Sequence, residues 1–128
     1  MPVVKGPFDV KLTPQSSTGA EETTIGRLLI AKAFHGDLEA TSAGQMLAFR
    51  SAVEGSAGYV AMEHVRGTLL GKSGGFVLQH SGTMSRGASG LDLTVVPDSG
   101  SGELLGLSGS MKIEIADGKH SYEFDFQL

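Results

Sequence analysis

Tyr59, Glu63, His80 and Arg86 are polar side chains embedded in two stretches that otherwise alternate apolar and polar residues, and the alternation places all four on the same side as Phe76, Leu78 and Met84. A carboxylate and an imidazole enclosed together are the material of proton transfer. Desolvation raises a carboxyl pKa, a neighbouring cation lowers it, and imidazole titrates near neutrality without much adjustment. Glu63 and His80 are therefore the candidate acid and base, and Tyr59 completes the candidate catalytic set. Tyr59 and Tyr122 offer O–H groups to a developing oxyanion, and Arg86 offers a guanidinium to a ligand carboxylate at the mouth of the interior. The competing assignment is structural: Glu63 and His80 as a satisfied pair inside a filled core.

Three other strings carry chemical associations. Asp98-Ser99-Gly100-Ser101 has the D-[ST]-G-[ST] form that presents the catalytic carboxylate of aspartic peptidases, and a chain of 128 residues can assemble the two-Asp dyad only as a homodimer. Pro97 before it and the Gly/Ser-rich run up to Gly102 favour a loop instead. Gly71-Lys72-Ser73-Gly74-Gly75 matches the G-x-S-x-G nucleophile elbow and nearly matches a phosphate-binding loop, but Arg66 stands where that loop needs glycine and no helix follows. It reads as a hairpin turn with Lys72 at a solvated tip. His35, His64 and His120 would have to converge to hold a metal, yet His64 falls on the solvent face and no His-x-His spacing occurs, so neither a metal nor a cofactor is expected.

Strands must position these groups. Met111, Ile113 and Ile115 alternate with polar residues, as do Tyr122, Phe124, Phe126 and Leu128, and Asp117-Gly118 between them is a two-residue hairpin signal. Pairing Ala116 with Lys119 brings Ile113 opposite Tyr122, Met111 opposite Phe124, and Lys112 opposite Glu123 as a charge pair. A second hairpin runs from Tyr59 to Leu70 and from Gly75 to Arg86 around Gly71–Gly74, with Leu69 opposite Phe76, Glu63 opposite Gly82 and Tyr59 opposite Arg86. A turn at Gly87-Ala88 then returns Leu91, Leu93 and Val95 beside Met84, Gly82 and His80. Phe8, Val10 and Leu12 alternate near the start. Arg27 to His35 is a strand whose inward face the pattern leaves open, with Gly36 to Gly44 its partner, and Gly44 to Val53 reads as strand continuation or irregular turn rather than helix. Asp9, the Gln15 to Ala20 run, Glu21 and Glu22 read as exposed loop. G-x-L-L-G-x-S-G occurs twice, at Gly67–Gly74 and Gly102–Gly109, as an echo of hairpin duplication. About eight strands joined mainly by short turns predict an all-β, closed, antiparallel up-and-down barrel spanning residues 1–128 as one domain.

Phe34-His35-Gly36-Asp37-Leu38-Glu39, Gly58-Tyr59-Val60-Ala61-Met62-Glu63, Gly75-Phe76-Val77-Leu78-Gln79-His80-Ser81-Gly82, Ser99-Gly100-Ser101-Gly102-Glu103-Leu104 and His120-Ser121-Tyr122 resemble an uncharacterised bacterial family, a domain of unknown function whose members are similar in fold to plant allene oxide cyclase. The resemblance covers nearly everything after Gly26. It implies an eight-stranded barrel and brings no established activity, although related barrels include cyclases that enclose an apolar substrate.

Composition bounds the rest. At 40% hydrophobic and 19% charged the chain is neither disordered nor polar throughout, and 19 glycines against 4 prolines without a three-residue period point to turns and close backbone approaches. A net charge of -4 supplies no broad cationic field, so nucleic acid is not an expected partner, and the absence of Cys excludes disulfides and thiolate chemistry. The first residues lack a charged segment followed by an apolar run, and no window reaches the length of a membrane span, so a bacterial cytoplasmic protein without membrane attachment is expected, with a homo-oligomer left open. The expected function is binding of one small lipophilic molecule in an interior lined by Tyr59, Glu63, Phe76, Leu78, His80, Met84, Met111, Ile113, Tyr122 and Phe124, with Arg86 at its mouth. A cofactor-free isomerase or cyclase using Glu63 and His80 is the alternative, and a dimeric aspartic peptidase through Asp98 the third.

Overall fold

The structure, a computed structural model, describes residues 2–15 and 25–128. Among the described residues period-two alternation produces nine strands and no helix: β1 (Val3–Gln15), β2 (Gly26–Phe34), β3 (Leu38–Arg50), β4 (Ala57–Leu69), β5 (Lys72–Ser85), β6 (Ala88–Val95), β7 (Ser101–Gly102), β8 (Ser108–Ala116) and β9 (Lys119–Gln127). Successive long strands pair antiparallel, β6 joins β8, and β9 returns to β1, so the eight long strands close into an up-and-down barrel. Closure leaves no long unpaired edge. The two-residue β7 is an addition that pairs with β5 at Gly74 and Gly75.

The β8–β9 hairpin has the expected register, with Ala116 opposite Lys119, Ile113 opposite Tyr122 and Met111 opposite Phe124. Asp117 and Gly118 both adopt positive φ, 52° and 74°, as a two-residue turn matching the strand twist requires. Lys112 lies opposite Glu123, but the carboxylate of Glu123 takes its ion pair from Lys5, at 3.3 Å.

The β4–β5 register departs from expectation by four residues. Leu70 and Gly71 alone form the turn, at φ 49° and 81°, and Leu69 pairs with Lys72, Val65 with Phe76, Glu63 with Leu78, Ala61 with His80 and Tyr59 with Gly82. The glycines that resembled a turn serve a different need: a Cβ on Gly74 would lie 2.0 Å from the Ser101 carbonyl oxygen, so β7 can lie against β5 only where the side chain is missing. The β5–β6 register is likewise offset, by two residues, because the turn is Arg86-Gly87. Both displacements are even, so every side chain keeps its expected face. Asp9 lies within β1 rather than in a loop and Gln15 ends that strand, whereas residues 16–24, including Glu21 and Glu22, lie outside the described residues.

One half of the barrel is filled. Phe34, Leu38, Leu69, Phe76, Leu78 and Phe124 are almost wholly buried there, with the Phe76 and Phe124 rings stacked at 5.7 Å. The chain between β6 and β8 folds beneath them through two short backbone turns and inserts Leu104 and Leu107 as a plug. Each such side chain contributes roughly 1.5–3 kcal/mol by leaving water. Leu69-Leu70-Gly71 and Leu104-Leu105-Gly106, the repeated halves of the sequence echo, use one local design: a buried leucine, an exposed leucine and a positive-φ glycine. The Tyr122 hydroxyl donates to the His35 carbonyl at 2.7 Å and accepts from the Leu38 amide at 3.1 Å, which pins the β2–β3 turn. Among the described residues no helix is long and apolar enough to cross a membrane.

Candidate functional site

Four strands bring a chain of polar side chains to the middle of the barrel. Lys32 (β2) and Ser42 (β3) are cross-strand partners facing inward, Glu63 (β4) lies two residues from Ser42's β4 partner Val65 on the same face, and His80 and Tyr59 follow from β5 and β4. Glu63 is 1% exposed and accepts three hydrogen bonds: Ser42 Oγ donates to Oε1 at 2.7 Å, and Lys32 Nζ and His80 Nε2 approach Oε2 at 2.8 and 2.5 Å. His80 Nδ1 lies 3.3 Å from the Tyr59 hydroxyl. Tyr59 leans across Gly82 to reach it, and a Cβ on Gly82 would strike the ring at 2.5 Å.

Burial pushes the Glu63 carboxyl upward, but the hydrogen bond from His80, the charge and hydrogen bond of Lys32 and the Ser42 hydroxyl outweigh it and hold the group at about 2. Glu63 is therefore an ionised, saturated anchor at neutral pH. Burial, and then the negative field of Glu63, raise the Tyr59 phenol above its ordinary value. An ionised carboxylate only accepts, so Nε2 of His80 carries hydrogen toward Glu63, and Nδ1 shares the second hydrogen bond with the Tyr59 hydroxyl.

Above this chain, among the described residues, the barrel is open, forming a cavity of about 790 Å³. Its walls are apolar, from Phe8, Val10, Leu12, Ile30, Met46 and Leu91. Lys32 and His80 are its floor, because the next inward residues of their strands, Phe34 and Leu78, belong to the filled half. The mouth lies between the β3–β4 and β5–β6 turns, marked by Arg50, Ala57 and Met84. The volume is in the range of ordinary small-molecule sites. A second depression of about 400 Å³, on the outer wall among Lys5, Lys112, Glu114 and Glu123, contains none of Lys32, Ser42, Tyr59, Glu63 and His80.

Tyr59, His80, Met84 and Ile113 line the cavity as expected, with Met84 exposed at the rim. Glu63 is beneath the wall rather than in it. Phe76, Leu78, Met111 and Phe124, expected as ligand contacts, are buried and absent from the cavity wall. Tyr122 spends its hydroxyl on the backbone, and Arg86 stands exposed at a turn with φ 50°, held through its amide to Ser56 Oγ. The displaced register is what carries Arg86 off the wall. Asp98 occupies an exposed positive-φ turn, while Ser99 Oγ bonds the Val96 carbonyl and Val77 amide and Ser101 Oγ bonds Gly75. The string secures a loop against β5. His35 bridges Asp9 and Glu39 at 3.2 Å on the surface, and His120 packs on Phe8 inside the cavity. Among the described residues no group of three or more His, Cys, Asp or Glu is arranged to hold a metal ion.

Lys32 and Ser42 had no signal as site residues. Both faces of Arg27–His35 mix apolar and basic residues, and only pairing with Phe8 on one side and Ala40 on the other selects Ile30, Lys32 and Phe34 as inward.

A closed antiparallel barrel, packed at one end and hollow at the other with an ion pair under the hollow, places the chain in the class of β-barrel proteins. Within it, the chain belongs to the family of proteins of unknown function designated DUF3224, whose model matches residues 4–126 and so takes in β1 as well as the later strands. It is similar to a solved structure from Shewanella oneidensis MR-1, a protein of unknown function from the same family, at 52% identity and a TM-score of 0.93, with 100% of this chain and 97% of that one covered. No curated protein matches the chain.

Proposed function

We propose that the protein binds one small lipophilic molecule in the open half of the barrel, with a carbonyl or carboxyl group of that molecule at Lys32, His80 and Tyr59. The observation that carries this reading is the division of the interior: a filled, largely apolar half beside a cavity of about 790 Å³ with apolar walls and a polar floor. Apolar walls supply affinity and a few convergent polar groups fix orientation. Lys32 has donor capacity to spare, since among the described residues its ammonium bonds Glu63 and otherwise faces the Phe8 and Phe34 rings, at 5.2 and 5.8 Å. Non-denaturing mass spectrometry of protein taken directly from its host tests the reading. A bound mass released by organic solvent is expected. Empty protein that also fails to take up an apolar fluorophore overturns it.

The continuous Tyr59–His80–Glu63 hydrogen-bond chain favours a second reading, a cofactor-free isomerase or cyclase acting on the same ligand. There His80 and Tyr59 move the proton, and Glu63 orients the imidazole from below rather than touching substrate. Loss of turnover with retained affinity in Tyr59→Phe separates the enzyme from the carrier, for which affinity alone changes.

A further inference from the structure

We propose that the cavity takes a molecule with two separated oxygen functions on an otherwise apolar skeleton, a carbonyl or carboxylate oxygen held by Lys32 and a hydroxyl held by Tyr59, a claim that rests on the binding reading above and specifies its chemistry. Both side chains line the cavity, and they stand at opposite ends of one hydrogen-bonded chain. Lys32 Nζ meets Glu63 Oε2 at 2.8 Å, Oε2 meets His80 Nε2 at 2.5 Å, and His80 Nδ1 meets the Tyr59 hydroxyl at 3.3 Å. The two nitrogens of an imidazole point to opposite sides of the ring, which sets Glu63 Oε2 and the Tyr59 oxygen about 8 Å apart. Lys32 and His80 share that carboxylate oxygen without overlapping, so the ammonium is at a similar or greater distance from Tyr59. A single head group reaches one of these stations and leaves the other unpaired.

The two stations ask for different groups. An ammonium only donates, and Lys32 has N–H groups beyond the one given to Glu63, so its ligand atom is an acceptor. Tyr59 is set by its bond with His80. When Nδ1 takes the phenol proton, the Tyr59 oxygen accepts from the ligand; when Nδ1 carries hydrogen, it donates to Tyr59 and the phenol O–H turns to the ligand. A ligand hydroxyl, donor and acceptor at once, satisfies Tyr59 in both arrangements, whereas a carbonyl oxygen satisfies only the second. Ser42, the remaining partner of Glu63, is buried and absent from the cavity wall, and adds no third station.

The rest of the molecule faces apolar surface. Among the described residues the other titratable groups of the wall are His120, packed on Phe8 at 5.3 Å, and Arg50. Arg50 pairs with Ala57 at the mouth, whereas His80 pairs with Ala61, four residues deeper, a distance of about 13 Å along the strand. Phe8, Val10, Ile30 and Met46 wall that depth and suit an alkyl body.

Titration calorimetry of the intact protein with decanoate, 2-hydroxydecanoate and 5-hydroxydecanoate tests the pairing. All three carry one carboxylate, so ratios of their affinities cancel the way its charge is accommodated. The 5-hydroxyl stands along the chain where it can reach Tyr59 from a carboxylate at Lys32, while the 2-hydroxyl lies beside the carboxylate. 5-Hydroxydecanoate is expected to bind about threefold to tenfold tighter than decanoate, and 2-hydroxydecanoate no tighter than decanoate. The 5-hydroxyl advantage is expected to vanish in Tyr59→Phe, which keeps the ring that leans over Gly82, and to persist in His120→Asn. An advantage that is absent in wild type, equal for the 2-hydroxyl, retained in Tyr59→Phe or lost in His120→Asn overturns the proposal, and decanoate binding in any of these cases leaves the binding reading standing. Failure of all three acids and of an apolar fluorophore removes the binding reading as well.

Discussion

Replacing Glu63 with Gln retains the side chain's shape and strands the Lys32 ammonium in the barrel, and Lys32→Met leaves the buried carboxylate without its lysine cation, held by Ser42 and His80 alone. Removing one partner of a buried pair costs about 3–5 kcal/mol, whereas replacing both by neutral groups is often close to neutral. The pH dependence provides an independent magnitude. The Glu63 carboxyl lies at about 2 when folded against an ordinary 4.5, and at about 1.4 kcal/mol per pH unit the difference corresponds to about 3 kcal/mol. Because the folded value is the lower one, this contribution is fully present above pH 4.5 and is lost as pH falls toward 2. Urea unfolding of wild type, Glu63→Gln, Lys32→Met and the double variant at neutral pH is expected to show two strongly destabilised singles and a double variant within about 2 kcal/mol of wild type. Between pH 4.5 and 2, wild type should lose about 3 kcal/mol more than the double variant. Single variants whose losses are each under about 1 kcal/mol and add within about 0.5 kcal/mol would refute the coupled buried pair.

Three further outcomes follow from the geometry. Ser42→Ala leaves Oε1 of Glu63 without its 2.7 Å donor and should cost about 1–3 kcal/mol in urea unfolding. Leu70→Asn should raise thermal stability by about 0.5–1 kcal/mol, since Leu70 is 54% exposed and holds a φ of 49° that asparagine tolerates better. Arg86→Ala should leave affinity for an apolar probe unchanged, because the side chain is at a turn outside the cavity, whereas Gly82→Ala, by displacing the Tyr59 ring, should weaken it several-fold in fluorescence titration.

Much of this architecture was legible because faces are more robust than registers. The β8–β9 pairing was readable to the residue, since Asp117-Gly118 is a two-residue turn whose chemistry is local. At the β4–β5 hairpin the turn residues are Leu70-Gly71, with no polar signal, while the conspicuous Gly74 and Gly75 answer to contact with β7 far along the chain. The error was four residues, an even number, so Glu63 and His80 remained inward and adjacent. Arg86, at the strand's end, had no such protection. Lys32 and Ser42 were invisible because their inward orientation is decided by the long-range pairing of β2 and β3. Division of the interior into a filled and a hollow half was equally out of reach: Phe76 and Met84 share a face in sequence, and only the plug of Leu104 and Leu107 decides which end is packed.

The most direct test is a crystal structure of the protein soaked with a bromine-labelled decanoate, located by the anomalous signal of bromine. The carboxyl group is expected at the cavity floor, within hydrogen-bond reach of Lys32 Nζ or the Tyr59 hydroxyl, with the chain running past Ile30 and Met46 toward the mouth. Density only on the outer wall, or a carboxyl group at Arg50 with the alkyl end against His80, would contradict it.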